Sequence, residues 1–190
     1  MKRSEINAII REARACFERH GWKLPPKPRW DVTDFGLSKF NEFGLLLLNL
    51  AEEPEYCEKL MYARKNQQTP LHCHRQKKED IISRNGELLV EVWKGNPDPE
   101  AEKTQIPIRV NGEPIAIENG GQLILKAGER ITLFPGYYHA FYPVTDDCII
   151  GEVSTANDDA NDNFFLNPEV GRYPDVEEDE AAEIRLLSDY

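Results

Sequence analysis

His72, Cys73 and His74 stand together in a stretch that favours extended chain. Alternate side chains of a strand leave opposite faces, so both imidazoles share one face and Cys73 takes the other. Glu79 follows five residues after His74, far enough for the chain to turn and return a carboxylate to the same place. Much further along, Pro135-Gly136-Tyr137-Tyr138-His139 sets a third imidazole just after a tight turn, at the start of another extended run. Three neutral imidazoles and one carboxylate form a donor set for a single divalent ion such as Mn, Fe, Co, Ni or Zn, with positions left for water or substrate. The chain has four histidines, and only His20 lies outside this set.

The elements that must position these groups are mostly strands. Ser4 can cap a first helix in which Ile6, Ile10, Ala13 and Phe17 recur on one face, and Gly21 is a natural terminator. Leu24-Pro25-Pro26-Lys27-Pro28 cannot continue a helix and reads as a stiff connector, either within the fold or as an arm against a partner subunit. From about residue 43 short β-branched, aromatic and leucine-rich runs alternate with Gly, Pro and Asn. They predict strands at 43–50, 58–65, 71–75, 79–84, 87–94, 106–110, 114–117, 122–126, 130–134, 138–143 and 148–154, with Asn111-Gly112 as a hairpin turn. So many short strands need a sandwich or barrel to cover their apolar faces. The organisation expected is one domain: an N-terminal helix and proline-rich arm over 1–42 packing on the barrel, a β-barrel over 43–165, and an acidic C-terminal segment over 166–190.

Composition narrows the function classes. The 190 residues carry 34 acidic and 23 basic side chains, a formal charge of −11, which repels phosphate backbones and anionic bilayers. Neither nucleic acid nor a membrane is an expected partner. The longest apolar run, Gly44 to Leu48, is too short to span a bilayer and no secretory signal is visible, so a cytoplasmic location is expected. Cys16, Cys57, Cys73 and Cys148 lack a C-x-x-C pairing and are expected to be buried free thiols. The acidic run Asp175 to Glu180 reads as a solvated tail.

The motif His72-x-His74-x4-Glu79-x6-Gly86 resembles the first motif of the cupins, and Gly128-x5-Phe134-x-Gly136-x2-His139 resembles the second. The departures are Asn66 where the first motif usually begins with Gly, Phe134 for the usual Pro of the second, and Pro143 for its closing Asn. This resemblance implies a cupin-type antiparallel β-barrel, a double-sheet jelly roll. A narrower one covers most of the chain. Met1 to Asn7, Trp30-Asp31-Val32-Thr33-Asp34-Phe35-Gly36, Lys77 to Ile82, Gly151 to Ser154, Asn157 to Asp159 with Asp162-Asn163, and Gly171-Arg172-Tyr173-Pro174 are similar to the D-lyxose ketol-isomerase family. The resemblance implies a manganese-preferring, homodimeric aldose–ketose isomerase acting on the free monosaccharides D-lyxose and D-xylulose, with D-mannose and D-fructose as further substrates.

Moving a carbonyl from C1 to C2 of an open-chain sugar needs a base for the C2 proton, an acid for the neighbouring oxygen and a cation for the enediolate. Lys77, two residues before Glu79 in extended chain, can reach the site from the same wall; a nearby dication and burial would ease its use as a proton donor or shuttle. The base is expected from the segment after the last long strand, Glu169 first and Glu177 second. Asp162, Arg172 and Tyr138 are candidates for the sugar hydroxyls, with Tyr137 and Phe141 for stacking. Three alternatives use the same cluster. A phosphosugar isomerase would hold its phosphate with Thr69, Arg75 and Lys77, an iron dioxygenase would take an acidic or thiol substrate, and a non-catalytic sugar-binding module would keep the metal for stability.

Overall fold

In the computed structural model, which describes every residue except Ala101, Ala156, Asp159, Ala160, Arg172 and Tyr190, one helix α1 (Arg3–Arg19) precedes a run of strands. These are β1 (Arg29–Thr33), β2 (Leu45–Glu52), β3 (Tyr56–Tyr62), β4 (His72–Cys73), β5 (Glu79–Asn85), β6 (Leu88–Lys94) and β7 (Gln105–Val110). The remainder are β8 (Glu113–Glu118), β9 (Gly121–Leu125), β10 (Arg130–Leu133), β11 (Tyr137–Pro143), β12 (Ile149–Thr155) and β13 (Phe164–Phe165). They form two antiparallel sheets, ordered β1-β2-β3-β12-β5-β10-β7-β8 and β13-β4-β11-β6-β9. All eleven expected strands are present within a few residues of the predicted limits. The Asn111-Gly112 turn has both residues at positive φ, 52° and 85°, as a tight hairpin of this handedness requires.

The larger sheet is buried on both faces at its β1-β2-β3-β12 end, while β7 and β8 are exposed on the outside. Its inner face meets the smaller sheet around Val90, Val92, Ile106, Ile108, Ile131, Phe141 and Ile150. Its outer face carries Trp30, Val32, Leu46, Leu48 and Leu60, which pack under Ile6, Ile9, Ile10, Ala13 and Phe17 of α1. Four successive leucines, Leu45 to Leu48, therefore suit β2, because neither face of that strand looks at water. Asn66 has φ 67°, the left-handed conformation that the cupin motif normally assigns to Gly and that Asn tolerates better than most side chains.

Three expectations are corrected. Residues 29–33, assigned to the arm, form β1 and pair with β2 from Arg29↔Asn49 to Thr33↔Leu45; the stiff connector is only the stretch that leads to them. Ser4 does not cap α1. The cap position is Lys2, two residues earlier; its amide donates to the Glu5 carboxylate at 2.8 Å, and the Ser4 amide and hydroxyl both donate to Asp179. The acidic run is not a solvated tail, for it clasps the positive end of the helix dipole. Glu178 and Asp189 grip the buried Arg3 guanidinium at 2.6 and 3.0 Å, and Glu180 accepts from Asn7. Arg3→Ala should accordingly lower unfolding free energy by about 2 kcal/mol, read as a shifted urea midpoint, since hydrogen bonds to charged partners are worth that much each and Glu178 is half-exposed. An unmoved midpoint would mean the clasp is ornamental.

Candidate active site

Strand register brings the sequence-separated groups together. His72 of β4 lies directly opposite His139 of β11 in the smaller sheet. The Gly136 amide donates to the His74 carbonyl at 2.6 Å, tying the turn before β11 to the end of β4. The ligand nitrogens of His72, His74 and His139 all lie within 4.8 Å of one another. Glu79 enters from the first residue of β5 across the barrel, with Oε1 2.9 Å from His139 Nε2 and 3.3 Å from His74 Nε2.

Each imidazole is oriented from behind. His72 Nδ1 meets the Pro70 carbonyl at 2.8 Å, His74 Nδ1 that of Asp162 at 2.5 Å, and His139 Nδ1 that of Tyr137 at 3.1 Å. A carbonyl can only accept, so Nδ1 carries the proton in every case and Nε2 presents a lone pair to the centre. His74 Nε2, His139 Nε2 and Glu79 Oε1 are buried without a hydrogen-bond partner among the described residues, and such orphaned acceptors are what a cation satisfies.

Electrostatics agree with that protonation pattern. Burial holds His72 well below the usual histidine range, and neighbouring His139 and His74 push the same way. For Glu79 burial opposes ionisation, yet the carboxyl is held well below the usual range, with the adjacent Lys77 ammonium the leading cause. A histidine kept neutral in the fold destabilises it once the unfolded chain can take up the proton instead. The stability His72 contributes is intact above about pH 6.5 and is lost as pH falls from there towards its folded value. Urea midpoints of metal-free protein at pH 7.5 and 5.5 should show that decline, and a flat profile would mean His72 is solvated.

Lys77 is buried, with Nζ 2.8 Å from Glu79 Oε2 and 3.0 Å from Glu152 Oε1. Glu152 of β12 is opposite Lys59 of β3, whose Nζ is 3.3 Å from the same oxygen. Sequence reasoning passed over Glu152 and Lys59. The available signal was a lone charge at inward parity in each of two strands, Ile149 to Thr155 and Tyr56 to Tyr62. Asp31, Thr33, Phe35, Leu45, Leu47, Met61, Thr69, Ile81, Phe141, Asn163 and Phe165 complete the walls of a cavity of about 80 Å³.

Five other candidates do not line the cavity. Glu169 is exposed and borders a separate outer hollow with Leu37, Phe43 and Leu166. Glu177 lies on the α1 side, where its backbone pairs with Met1 and Arg3. Tyr138 alternates with His139 and so points outward, to the face of Cys73, with which it hydrogen-bonds. Tyr137 shares the inward face but its hydroxyl is spent on the Pro107 carbonyl at 3.0 Å. The Asp162 carboxylate is buried and accepts from the Arg75, Gln76 and Lys77 amides, which hold it ionised against the cost of burial; it shapes the turn between His74 and Glu79. Arg172 lies outside the described residues.

A two-sheet barrel holding three imidazoles, a carboxylate and a buried lysine–glutamate pair around one cavity defines a cupin-type enzyme site. The family model for D-lyxose isomerase matches residues 1–30 and 27–190. The D-lyxose/D-mannose isomerase of Escherichia coli O157:H7 is 37% identical over all of this chain and 98% of its own length, and that of Serratia proteamaculans is 34% identical over the same shares. The chain belongs to the D-lyxose isomerase family and is a sugar isomerase, an intramolecular oxidoreductase. Among solved structures, the L-ribose isomerase of Cellulomonas parahominis superposes with a TM-score of 0.68 at 17% identity, covering 92% of this chain and 98% of that one, a likeness of fold. No described helix is long and apolar enough to cross a membrane.

Proposed function

We propose that this chain is a metal-dependent aldose–ketose isomerase that interconverts D-lyxose and D-xylulose, and D-mannose and D-fructose. It would use one divalent ion, manganese first among Mn, Fe, Co, Ni and Zn, held by His72, His74, Glu79 and His139. The observation that carries this reading is the convergence of orphaned Nε2 and Oε1 atoms beside the Lys77–Glu152 pair, inside a cavity otherwise walled largely by apolar side chains. Such an ion supplies Lewis-acid stabilisation of the charge that develops on the sugar oxygens.

The chain's own groups do the rest. Glu152, instead of Glu169, takes the C2 proton of the open-chain aldose and returns it to C1. Lys59 and Lys77 hold its carboxylate in place, aimed inward. The Lys77 ammonium gives a proton to O1 and takes one back from O2, its second partner Glu79 fixing its position. Phe35, Leu45, Leu47, Phe141 and Phe165 exclude water that would otherwise quench the enediolate. Similarity to the named relatives supports the choice of sugars, and a homodimer and a cytoplasmic location belong to the same proposal.

A phosphate-binding version is disfavoured by the side chains it would need. The Thr69 hydroxyl is bound to Phe141 backbone, Arg75 stacks over Phe164 at 3.9 Å, and Lys77 is engaged by two carboxylates. The test is a panel of free pentoses and hexoses, with fructose 6-phosphate alongside, assayed with added manganese. Formation of D-xylulose from D-lyxose is expected. Turnover of the phosphorylated sugar alone, or of none, overturns the reading.

A further inference from the structure

Phe35 is the one bulky aromatic among the described non-glycine residues with positive φ, at 57°, a left-handed conformation that its Cβ disfavours. Three contacts hold it there. Its amide donates to Thr33 Oγ1 at 2.8 Å, its carbonyl accepts from the Gly171 amide at 2.8 Å, and its ring stands edge-on to Phe165 at 6.0 Å. The next residue, Gly36, has φ 70° and lies against Gly171 and the Tyr173 carbonyl, so these two residues brace the bend. Strained backbone of this kind persists where the surroundings over-determine it, and here the outcome is a buried ring in the cavity wall. A relaxed φ would swing that ring away.

Most of the other wall residues are fixed by sheet register, whereas Phe35 hangs from the connection between β1 and β2. Phe165, which it braces, is 5.6 Å from the His72 ring, so the pair continues the wall outward from the histidine cluster. With the carbonyl end of an open-chain sugar engaged at Glu79, Lys77 and Glu152, the far end must run along what remains of the cavity. D-Lyxose and D-mannose share their configuration from C2 to C4 and differ by one terminal carbon, so the length of that remaining space is what tells them apart.

We propose that Phe35 is the specificity-determining residue that limits how long a sugar this site accepts. This rests on the isomerase reading above. The experiment measures kcat/KM for D-lyxose and D-mannose on manganese-loaded wild-type protein and on Phe35→Leu, Phe35→Asn and Phe35→Trp, with thermal midpoints alongside. Asn accepts the left-handed backbone more readily than other side chains, so it removes the ring with the bend kept. Leu and Asn should raise the mannose-to-lyxose ratio about tenfold, the discrimination that one carbon in an apolar pocket provides, mainly through KM for mannose. Trp should move the ratio in the opposite direction, a reversal that mere loosening of the fold would not give. Ratios within twofold of wild type, or a shift of the same sign for Trp and Leu, overturn the proposal alone. Wild-type protein that turns over neither sugar overturns the isomerase reading and this proposal with it.

Discussion

Glu152→Gln is expected to lower kcat for D-lyxose by about 10³-fold, within the range that a positioned general base contributes, with KM changed far less. The amide keeps an oxygen for Lys59 and Lys77, so the side chain stays in place while its ability to take a proton is lost. Exchange of the substrate's C2 hydrogen with solvent should cease in parallel. Glu169→Gln is the control: that side chain is exposed on another face, and its loss should leave turnover as it was. If Glu152→Gln stays within threefold of wild type at full metal content, the base lies elsewhere.

His139→Ala removes a buried donor at the centre of the cluster, and chelation removes the ion from intact protein. Both should abolish turnover by 10³-fold or more, because Lewis-acid stabilisation of the enediolate is worth several kcal/mol and each 1.4 kcal/mol is about tenfold in rate. Chelated wild-type protein should regain activity with manganese, whereas His139→Ala should not. Ion binding also stabilises the fold by mass action, about 2.7 kcal/mol at a hundredfold excess over Kd, so the thermal midpoint should rise on reloading. Full activity in protein shown by elemental analysis to be metal-free would remove the ion from the mechanism.

The parts of this site that were legible in the sequence are those whose geometry is local or carried by a motif. His72 and His74 share a face by strand alternation, and His139 follows a turn whose Gly136 ties back to His74. Glu152 and Lys59 were not legible because what matters is their pairing across β12 and β3, a register no single strand reveals. β1 was missed for a related reason. Its alternation has Trp30 and Val32 on one side and Asp31 and Thr33 on the other, and polar residues normally mark the wet side of a strand; here they face the cavity while the apolar ones meet α1. Glu169 was expected at the site only as a carboxylate from the segment after the last long strand, and nothing in the sequence fixes which way the turn at Asn167-Pro168 directs it. The acidic run looked solvated since its partners, Arg3, Ser4 and Asn7, are more than 170 residues away in the chain.

The two-faced burial within the larger sheet has a consequence for how this protein can change. Asp31, Lys59, Glu79 and Glu152 sit on the side of the sheet where a barrel without chemistry would carry aliphatic groups, and that forfeits cohesion in its middle. The helix laid over the reverse side compensates with an apolar layer of its own. Selection for a tougher molecule therefore has an easy route that ends in a silent enzyme, through greasy replacements inside the barrel, and a safer one through the seam beneath the helix.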